Sequence, residues 1–221
     1  MSAQPPGPLA PDLRSHWVSL MAAFKVDPRS EAAEDWGAVF TAAYTAPARH
    51  YHGAAHICAL FDRLEAWAAQ ARDLPLLQLT AFTHDLVYDG APGADERASA
   101  AQAELCGLAL GLSIARIDRM IRWIEATAGH APLPHDPDGQ LFLDADLEIL
   151  SAAEPDYDAY AAAIRREYAH VDEAVFRAGR AGAMRLFLER PTIYGHPATP
   201  PWWEARARAN IAREIEMLDA G

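Results

Sequence analysis

The sequence has little cysteine and little positive charge. Its two cysteines, Cys58 and Cys106, fall in helical patterns, so we expect small buried apolar side chains in a reducing compartment rather than a disulfide framework. Lysine and arginine number 19 against 31 aspartate and glutamate residues, which gives a net charge of −12. This balance disfavours polymeric nucleic acid as a partner, because that binding needs a basic surface. A small anion held by a few arginines is compatible with it.

Long apolar runs are also missing. No run reaches the length of about 20 residues that is needed to cross a bilayer. Residues 1–11 are proline-rich, without the basic start and apolar core of a secretory signal. We therefore expect a flexible N-terminus over residues 1–11, a cytoplasmic location and no membrane partner. The 221 residues, 51% of them hydrophobic, suffice for a sizeable core over residues 12–221.

The apolar residues recur at helical spacing, and no segment alternates as a strand does. This pattern predicts an all-α globular domain of about nine or ten helices. In one of these helices, capped by Ser113, the expected core stripe is Ile114, Ile117, Ile121 and Ile124. Residues 131–139 and 190–201, rich in proline and glycine, are predicted as loops.

A histidine and an aspartate interrupt the most apolar of the predicted helices. His84 and Asp85 follow Ala81, Phe82 and Thr83, in a segment too hydrophobic for a solvated helix. A buried charge is costly unless it is paired or bound to a metal. Adjacent helical side chains diverge by about 100°, so both can reach one ion at the helix edge.

Further ionisable residues lie on apolar faces of other predicted helices. A helix that opens near Arg49 places His52 and His56 one turn apart, with His56 on the apolar stripe. On its own, such a histidine is more often a core residue than a ligand. In the segment 141–150, Asp144 and Asp146 are about 160° apart, so only one should face inward. Imidazole and carboxylate are the donors that Mn, Fe, Zn or Mg accept, and no thiolate suggests a structural zinc.

The ordered pattern of a histidine, a His-Asp pair and a later aspartate, on an all-helical chain, resembles the HD-domain superfamily of metal-dependent phosphohydrolases. It is most similar to a bacterial branch of predicted metal-dependent HD phosphohydrolases, over roughly residues 12–215 of this sequence. His-Asp alone is weakly specific, whereas the ordered set is strongly specific. The strings that carry the resemblance are Arg49-His50-Tyr51-His52-x3-His56-Ile57, Phe82-x-His84-Asp85-x-Val87-Tyr88-Asp89, Glu96-x2-Ser99-Ala100, Thr127-x2-His130, Asp144-Ala145-Asp146-Leu147-x-Ile149-Leu150 and Tyr160-x3-Ile164-Arg165-x-Glu167-Tyr168.

The resemblance implies a ligand set. Asp146 is preferred to Asp144 because the last ligand of the superfamily follows an alanine and precedes a hydrophobic turn. The implied ligands of one divalent ion (Mn, Fe, Zn, Mg, Ni or Co) are His56, His84, Asp85 and Asp146. A second ion would use extra histidines, for which His52 and His130 are the candidates. His52 could equally be a proton donor or a histidine in solvent, and His130 a C-terminal residue on the helix dipole.

Other residues are assigned to the reaction. Glu96 is expected as the base that orients the attacking water, with an acid at a helix N-terminus as the alternative. His52 and His130 are candidate acids for the leaving group. The candidate phosphate clamps are Arg49, Arg97, Arg165 and Arg166, because guanidinium matches phosphate oxygens. For any single arginine a surface salt bridge is the competing interpretation.

The resemblance therefore implies hydrolysis of a small phosphoester, a nucleotide or phospho-metabolite, by a metal-bound water that attacks phosphorus in line. Two alternatives stay open. One is a di-iron oxygenase on the same scaffold, which would need two irons and more histidine ligands. The other is a non-catalytic helical module that binds a metal, ligand or partner. The sequence leaves the substrate, the metal and the oligomeric state open, a homodimer included.

Overall fold

The computed structural model describes residues 11–220, which form helices and connecting turns without a strand. This confirms the predicted all-α fold, with ten α-helices among these residues. The contacts divide the described residues into two compact units, the first ending at Pro132 and the second beginning at Leu133, whereas a single domain over residues 12–221 is predicted from the sequence. The segment expected to be flexible, 1–11, lies outside the described residues apart from Pro11.

The first unit contains α1 (Pro11–Phe24), α2 (Glu31–Tyr44), α3 (Ala54–Ala66), α4 (Leu74–Thr83), α5 (Ala94–Ala109) and α6 (Ile114–Thr127). The second contains α7 (Pro137–Asp146), a 3₁₀ helix (Leu147–Ser151), α8 (Glu154–Glu167), α9 (Glu173–Leu188) and α10 (Pro201–Ala220). Four helices begin after a side chain that accepts a backbone N–H of the first turn, namely Ser30, Asp73, Asp136 and Asp172. Within residues 11–220 no helix is long and apolar enough to cross a membrane.

An aromatic cluster forms the centre of the first unit. The Phe82 ring, on α4, lies 5.0 Å from the Phe40 ring and 5.0 Å from the Phe61 ring. Trp17 of α1 meets Phe82 edge-on at 5.2 Å, and its indole N–H donates to the carbonyl of Ala33 at 3.0 Å. Aromatic pairs at these distances add to the free energy of burial. The C-terminal end of α4 is therefore anchored in the core, directly before His84.

Helices α5 and α6 pack closely because Gly107 has no side chain. A Cβ atom added at Gly107 would lie 2.8 Å from Cγ1 of Ile117. The buried face of α6 is formed by Ile117, Met120, Trp123, Ile124 and Thr127. The predicted stripe is wrong at Ile114, the first residue of α6, which is 62% exposed.

In the second unit, α10 is tied to the segments before it by polar side chains. The Asn210 amide donates to the carbonyls of Leu150 and Ala152 at 2.9 and 3.0 Å. The Arg208 guanidinium donates to the carbonyls of Leu188, Arg190 and Pro191. Both side chains satisfy carbonyls that no regular helix pairs. The loop before α10 is thus a fixed structure, as the burial of Tyr194 within it also indicates.

Candidate metal centre

The His84-Asp85 pair lies in the turn that follows α4, so the prediction that it sits within the helix is wrong. Helix α4 ends at Thr83. In a continuing helix the carbonyls of Ala81 and Phe82 would accept from residues 85 and 86. Instead His84 Nδ1 lies 3.0 Å from the Ala81 oxygen, and the Tyr44 hydroxyl donates to the Phe82 oxygen at 2.7 Å. These side chains take over the last helical carbonyls, and the chain turns away.

The contact with Ala81 fixes the tautomer of His84. A carbonyl oxygen only accepts, so Nδ1 carries the ring proton. In the neutral ring Nε2 then bears a lone pair, which is the form that binds a metal. The side chain is 1% exposed, so water does not compete for this nitrogen.

His56 is in the first turn of α3. The helix begins at Ala54 after an extended Gly53, so the prediction that it opens near Arg49 is wrong. A Cβ atom on Gly53 would lie 3.2 Å from the Tyr44 backbone oxygen, which shows how closely the chain passes α2 at this point. His56 is buried together with its helix neighbours Ile57 and Leu60.

Three donor atoms of the first unit face one another. Nε2 of His56 lies 3.3 Å from Nε2 of His84. Oδ2 of Asp85 lies 3.0 Å from the His84 nitrogen and 3.9 Å from the His56 nitrogen. Ligand atoms about 2.1 Å from one ion lie about 3.0 to 3.4 Å apart when cis or tetrahedral, and at most about 4.2 Å apart. All three distances fit one cation.

The two aspartates of the second unit have different surroundings. Asp144 is fully buried, and its carboxylate accepts from the backbone N–H groups of Gly195 and His196 and from the Thr199 hydroxyl. Gln140 also donates to it. Asp146, at the end of α7, is half-buried and does not cap the 3₁₀ helix that follows. Asp144 thus anchors a loop, which leaves Asp146 as the candidate ligand of this pair.

The turn between Asp85 and α5 is held by side chains from the first turns of α5. The Ser99 hydroxyl accepts from the N–H of Val87 at 3.0 Å and lies 3.2 Å from its carbonyl oxygen. Asp95 accepts from the N–H groups of Asp89 and Ala91. Glu96 accepts from the N–H of Gly93 at 2.5 Å, the hydrogen bond that an acid at the third helical position makes in a capping box. Glu96 and Ser99 therefore stabilise the turn before α5 by hydrogen bonds to its backbone.

His52 and His130 both belong to the first unit. The His52 ring lies 5.9 Å from the His56 ring and 4.2 Å from the Tyr88 ring. It stands in the turn before α3, beside the candidate site and half-buried. His130 follows α6 and has a φ of 45°, a left-handed conformation that side chains rarely adopt.

The arginines predicted to bind phosphate differ in their contacts. Arg49 donates to the backbone carbonyls of three residues and lies over two tyrosine rings. Arg165 pairs with Glu173 at 2.8 Å and donates to two carbonyls at the end of α8. The Arg97 side chain is exposed, and within residues 11–220 its guanidinium has no hydrogen bond or ion pair. Of these three, only Arg97 keeps its guanidinium available to an anion.

Tyr44 is a site residue that the sequence analysis missed. It ends α2, and its hydroxyl reaches the end of α4 across 38 residues of chain. Burial, and next the carboxylate of Asp85, raise the pKa of this hydroxyl well above its usual value. The hydroxyl therefore stays protonated and keeps donating to Phe82. No local pattern marks a tyrosine at a helix end as such a residue, so its role could not be predicted.

Comparison with known proteins finds no matching family model, no similar curated protein and no similar solved structure. The assignment of a function consequently depends on the motifs and on the geometry described above.

Proposed function

We propose that this protein is a metal-dependent phosphohydrolase that acts on a small phosphoester, a nucleotide or phospho-metabolite. The observation that carries the proposal is the mutual approach of Nε2 of His56, Nε2 of His84 and Oδ2 of Asp85. Nε2 of His84 bears a lone pair, so Nε2 of His56 at 3.3 Å must either donate a proton to it or share a cation with it. A divalent cation held there would lower the pKa of a coordinated water and polarise a phosphoryl oxygen.

Asp146 is the fourth ligand that the resemblance to the HD-domain superfamily implies. Its side chain is half-buried at the end of α7. Asp144 does not fit this role, because backbone N–H groups and a hydroxyl already occupy its oxygens. Two imidazoles and two carboxylates would leave positions for water and substrate on an octahedral ion.

Three further residues are proposed for substrate binding and proton transfer. His52 lies nearest, with its ring 5.9 Å from that of His56, and it is the proposed acid for the leaving group. Arg97 is the proposed contact for the phosphoryl oxygens, since its guanidinium is exposed. Glu96 supports the Gly93 turn, so its part as a base requires the carboxylate oxygen that Gly93 does not use.

Elemental analysis of protein purified without chelator tests the proposal, together with hydrolysis of nucleotides and phosphomonoesters in the presence of Mn, Co, Mg, Ni or Zn. We expect about one bound ion per chain and turnover with at least one metal. His56→Gln should lose both properties. His16→Gln is the matched control. His16 lies in α1 and packs on Phe61, so this variant should keep the bound metal and the turnover.

The same measurements separate the alternatives. Two irons per chain with an iron spectrum would favour the oxygenase, which needs a second metal. Bound metal without turnover of any substrate would favour the non-catalytic module. A wild-type protein that binds no divalent ion would contradict the proposal.

A further inference from the structure

The Arg49 guanidinium joins two distant segments of the first unit. Its Nη1 donates to the carbonyl of His52 at 3.0 Å and to that of Asp85 at 2.7 Å. Its Nη2 donates to the carbonyl of Leu86 at 2.9 Å. One side chain thus binds the turn before α3 to the turn after α4. These are the turns next to His56 and His84.

Aromatic rings hold the guanidinium in place. Its central carbon lies 5.6 Å from the Tyr44 ring centre and 5.3 Å from the Tyr88 ring centre. Such cation–π contacts are worth about 0.5 to 2 kcal/mol each, more when they are desolvated. With three carbonyl contacts and two rings around it, the Arg49 fork has a fixed orientation.

Tyr44 and Arg49 hold backbone carbonyls before and after His84. The Tyr44 hydroxyl donates to the carbonyl of Phe82 at 2.7 Å. Arg49 donates to the carbonyls of Asp85 and Leu86 at 2.7 and 2.9 Å. Because the backbone is held on both sides of His84, the path of the chain that carries the Asp85 side chain is fixed.

We infer that Arg49 is a positioning residue of the candidate metal centre and not a phosphate clamp. This inference rests on the proposed function. Arg49 orients the ligand Asp85 through backbone carbonyls and sets the spacing between the turns that carry His52 and Asp85. Residues that orient metal ligands typically change metal affinity by about 10–100-fold when they are replaced.

Cobalt titration followed by visible absorption tests this role, because the spectrum reports ligand geometry and the titration reports affinity. We expect Arg49→Met to weaken cobalt binding by about 10–100-fold and to alter the spectrum. The cobalt affinity of Arg49→Lys should lie between those of the wild type and Arg49→Met, since an ammonium is a point charge and cannot bridge three carbonyls. Tyr44→Phe, which keeps the ring and loses the hydroxyl, should also weaken binding.

Arg208→Met is the matched control. Arg208 also holds three backbone carbonyls, those of Leu188, Arg190 and Pro191, but none belongs to a candidate ligand. Its loss should lower the free energy of unfolding and leave the cobalt affinity and spectrum unchanged. An equal loss of cobalt affinity in Arg208→Met would overturn the inference, because the effect would then reflect general destabilisation.

Two further results are decisive. If Arg49→Met keeps the cobalt affinity and spectrum of the wild type while KM alone rises, Arg49 is a phosphate clamp and the inference is wrong. If the wild-type protein itself binds no cobalt or other divalent ion, the proposed function fails, and the inference fails with it.

Discussion

Nε2 of His84 lies 3.0 Å from Oδ2 of Asp85, although the two residues are neighbours in sequence. In a continuous helix adjacent side chains diverge by about 100°. Here the helix ends at Thr83, and the turn brings both donor atoms toward the same point. The end of α4 also suits a cation, because the carbonyl end of a helix carries partial negative charge.

Replacement of Asp85 by asparagine should abolish metal binding. The variant keeps the shape of the side chain but loses the charge that the cation needs. We expect bound metal to fall at least about tenfold and hydrolysis to be lost. With free metal at about 100 times its Kd, the wild-type protein should gain about 2.7 kcal/mol in the free energy of unfolding. Thermal denaturation measures this gain, and Asp85→Asn should show little of it.

Asp73→Asn is the control for that experiment. Asp73 caps the opposite end of α4 and pairs with Arg116 at 2.6 Å. Asparagine caps a helix about as well as aspartate, so the replacement loses the ion pair with Arg116, should cost less than about 1 kcal/mol of stability and should leave metal content unchanged. Full metal content in Asp85→Asn would remove Asp85 from the ligand set.

Replacement of His130 by glycine should stabilise the protein and reduce its turnover. His130 has a φ of 45°, where glycine is free of the strain that a side chain meets, a difference of about 1 kcal/mol. The resemblance to the HD-domain superfamily makes His130 a candidate acid for the leaving group, so loss of its imidazole should reduce turnover. Urea unfolding and phosphatase assays measure the two effects.

Lys25→Gly provides the comparison, because Lys25 directly follows α1 with a φ of 60° and is exposed. It should gain similar stability without a change in turnover. A His130→Gly variant that is fully active would show that His130 has no part in the reaction.

A methyl group at Gly107 should destabilise the first unit. The added Cβ would meet Ile117 at 2.8 Å, so we expect Gly107→Ala to cost about 1–3 kcal/mol, as overpacking does. Gly179 lies in α9 with no atom within 4 Å of an added Cβ. Gly179→Ala should instead gain about 0.5–1 kcal/mol, because alanine is the better helix former. Urea midpoints that move in the same direction for both variants would contradict the α5–α6 contact.

His196 should make the protein less stable in acid. Burial lowers the pKa of His196, although the carboxylates of Asp144 and Asp138 oppose this effect. The unfolded chain then binds a proton more readily than the folded one, so stability falls as the pH drops below the ordinary histidine value of about 6.5. Between about pH 7 and pH 5 the urea midpoint of the wild type should fall more than that of His196→Gln. Equal falls would show that His196 does not contribute.

Most of the fold could be predicted from the local spacing of apolar residues. An amphipathic stripe is a property of a few consecutive turns, so most helices could be located from spacing alone. The prediction of a loop over residues 131–139 is wrong at its end, because Asp136 caps α7, which begins at Pro137. The errors lie where a neighbouring element decides the result. Ile114 has the right spacing for the α6 stripe but is 62% exposed, since burial also requires a partner surface. Helix α3 begins at Ala54 and not near Arg49, because Gly53 passes close to α2.

What the sequence by itself determined is the all-α class and the chemical kinds of donor, the histidines and aspartates whose order resembles the HD-domain superfamily. Only the tertiary structure decided which atoms of the first unit meet. The end of α4 depends on Tyr44, 38 residues away in sequence, and the burial of Asp144 depends on a loop 51 residues or more away. Hydrogen bonds between distant side chains and backbone leave no periodic trace in a sequence, which is why these parts of the site could not be predicted.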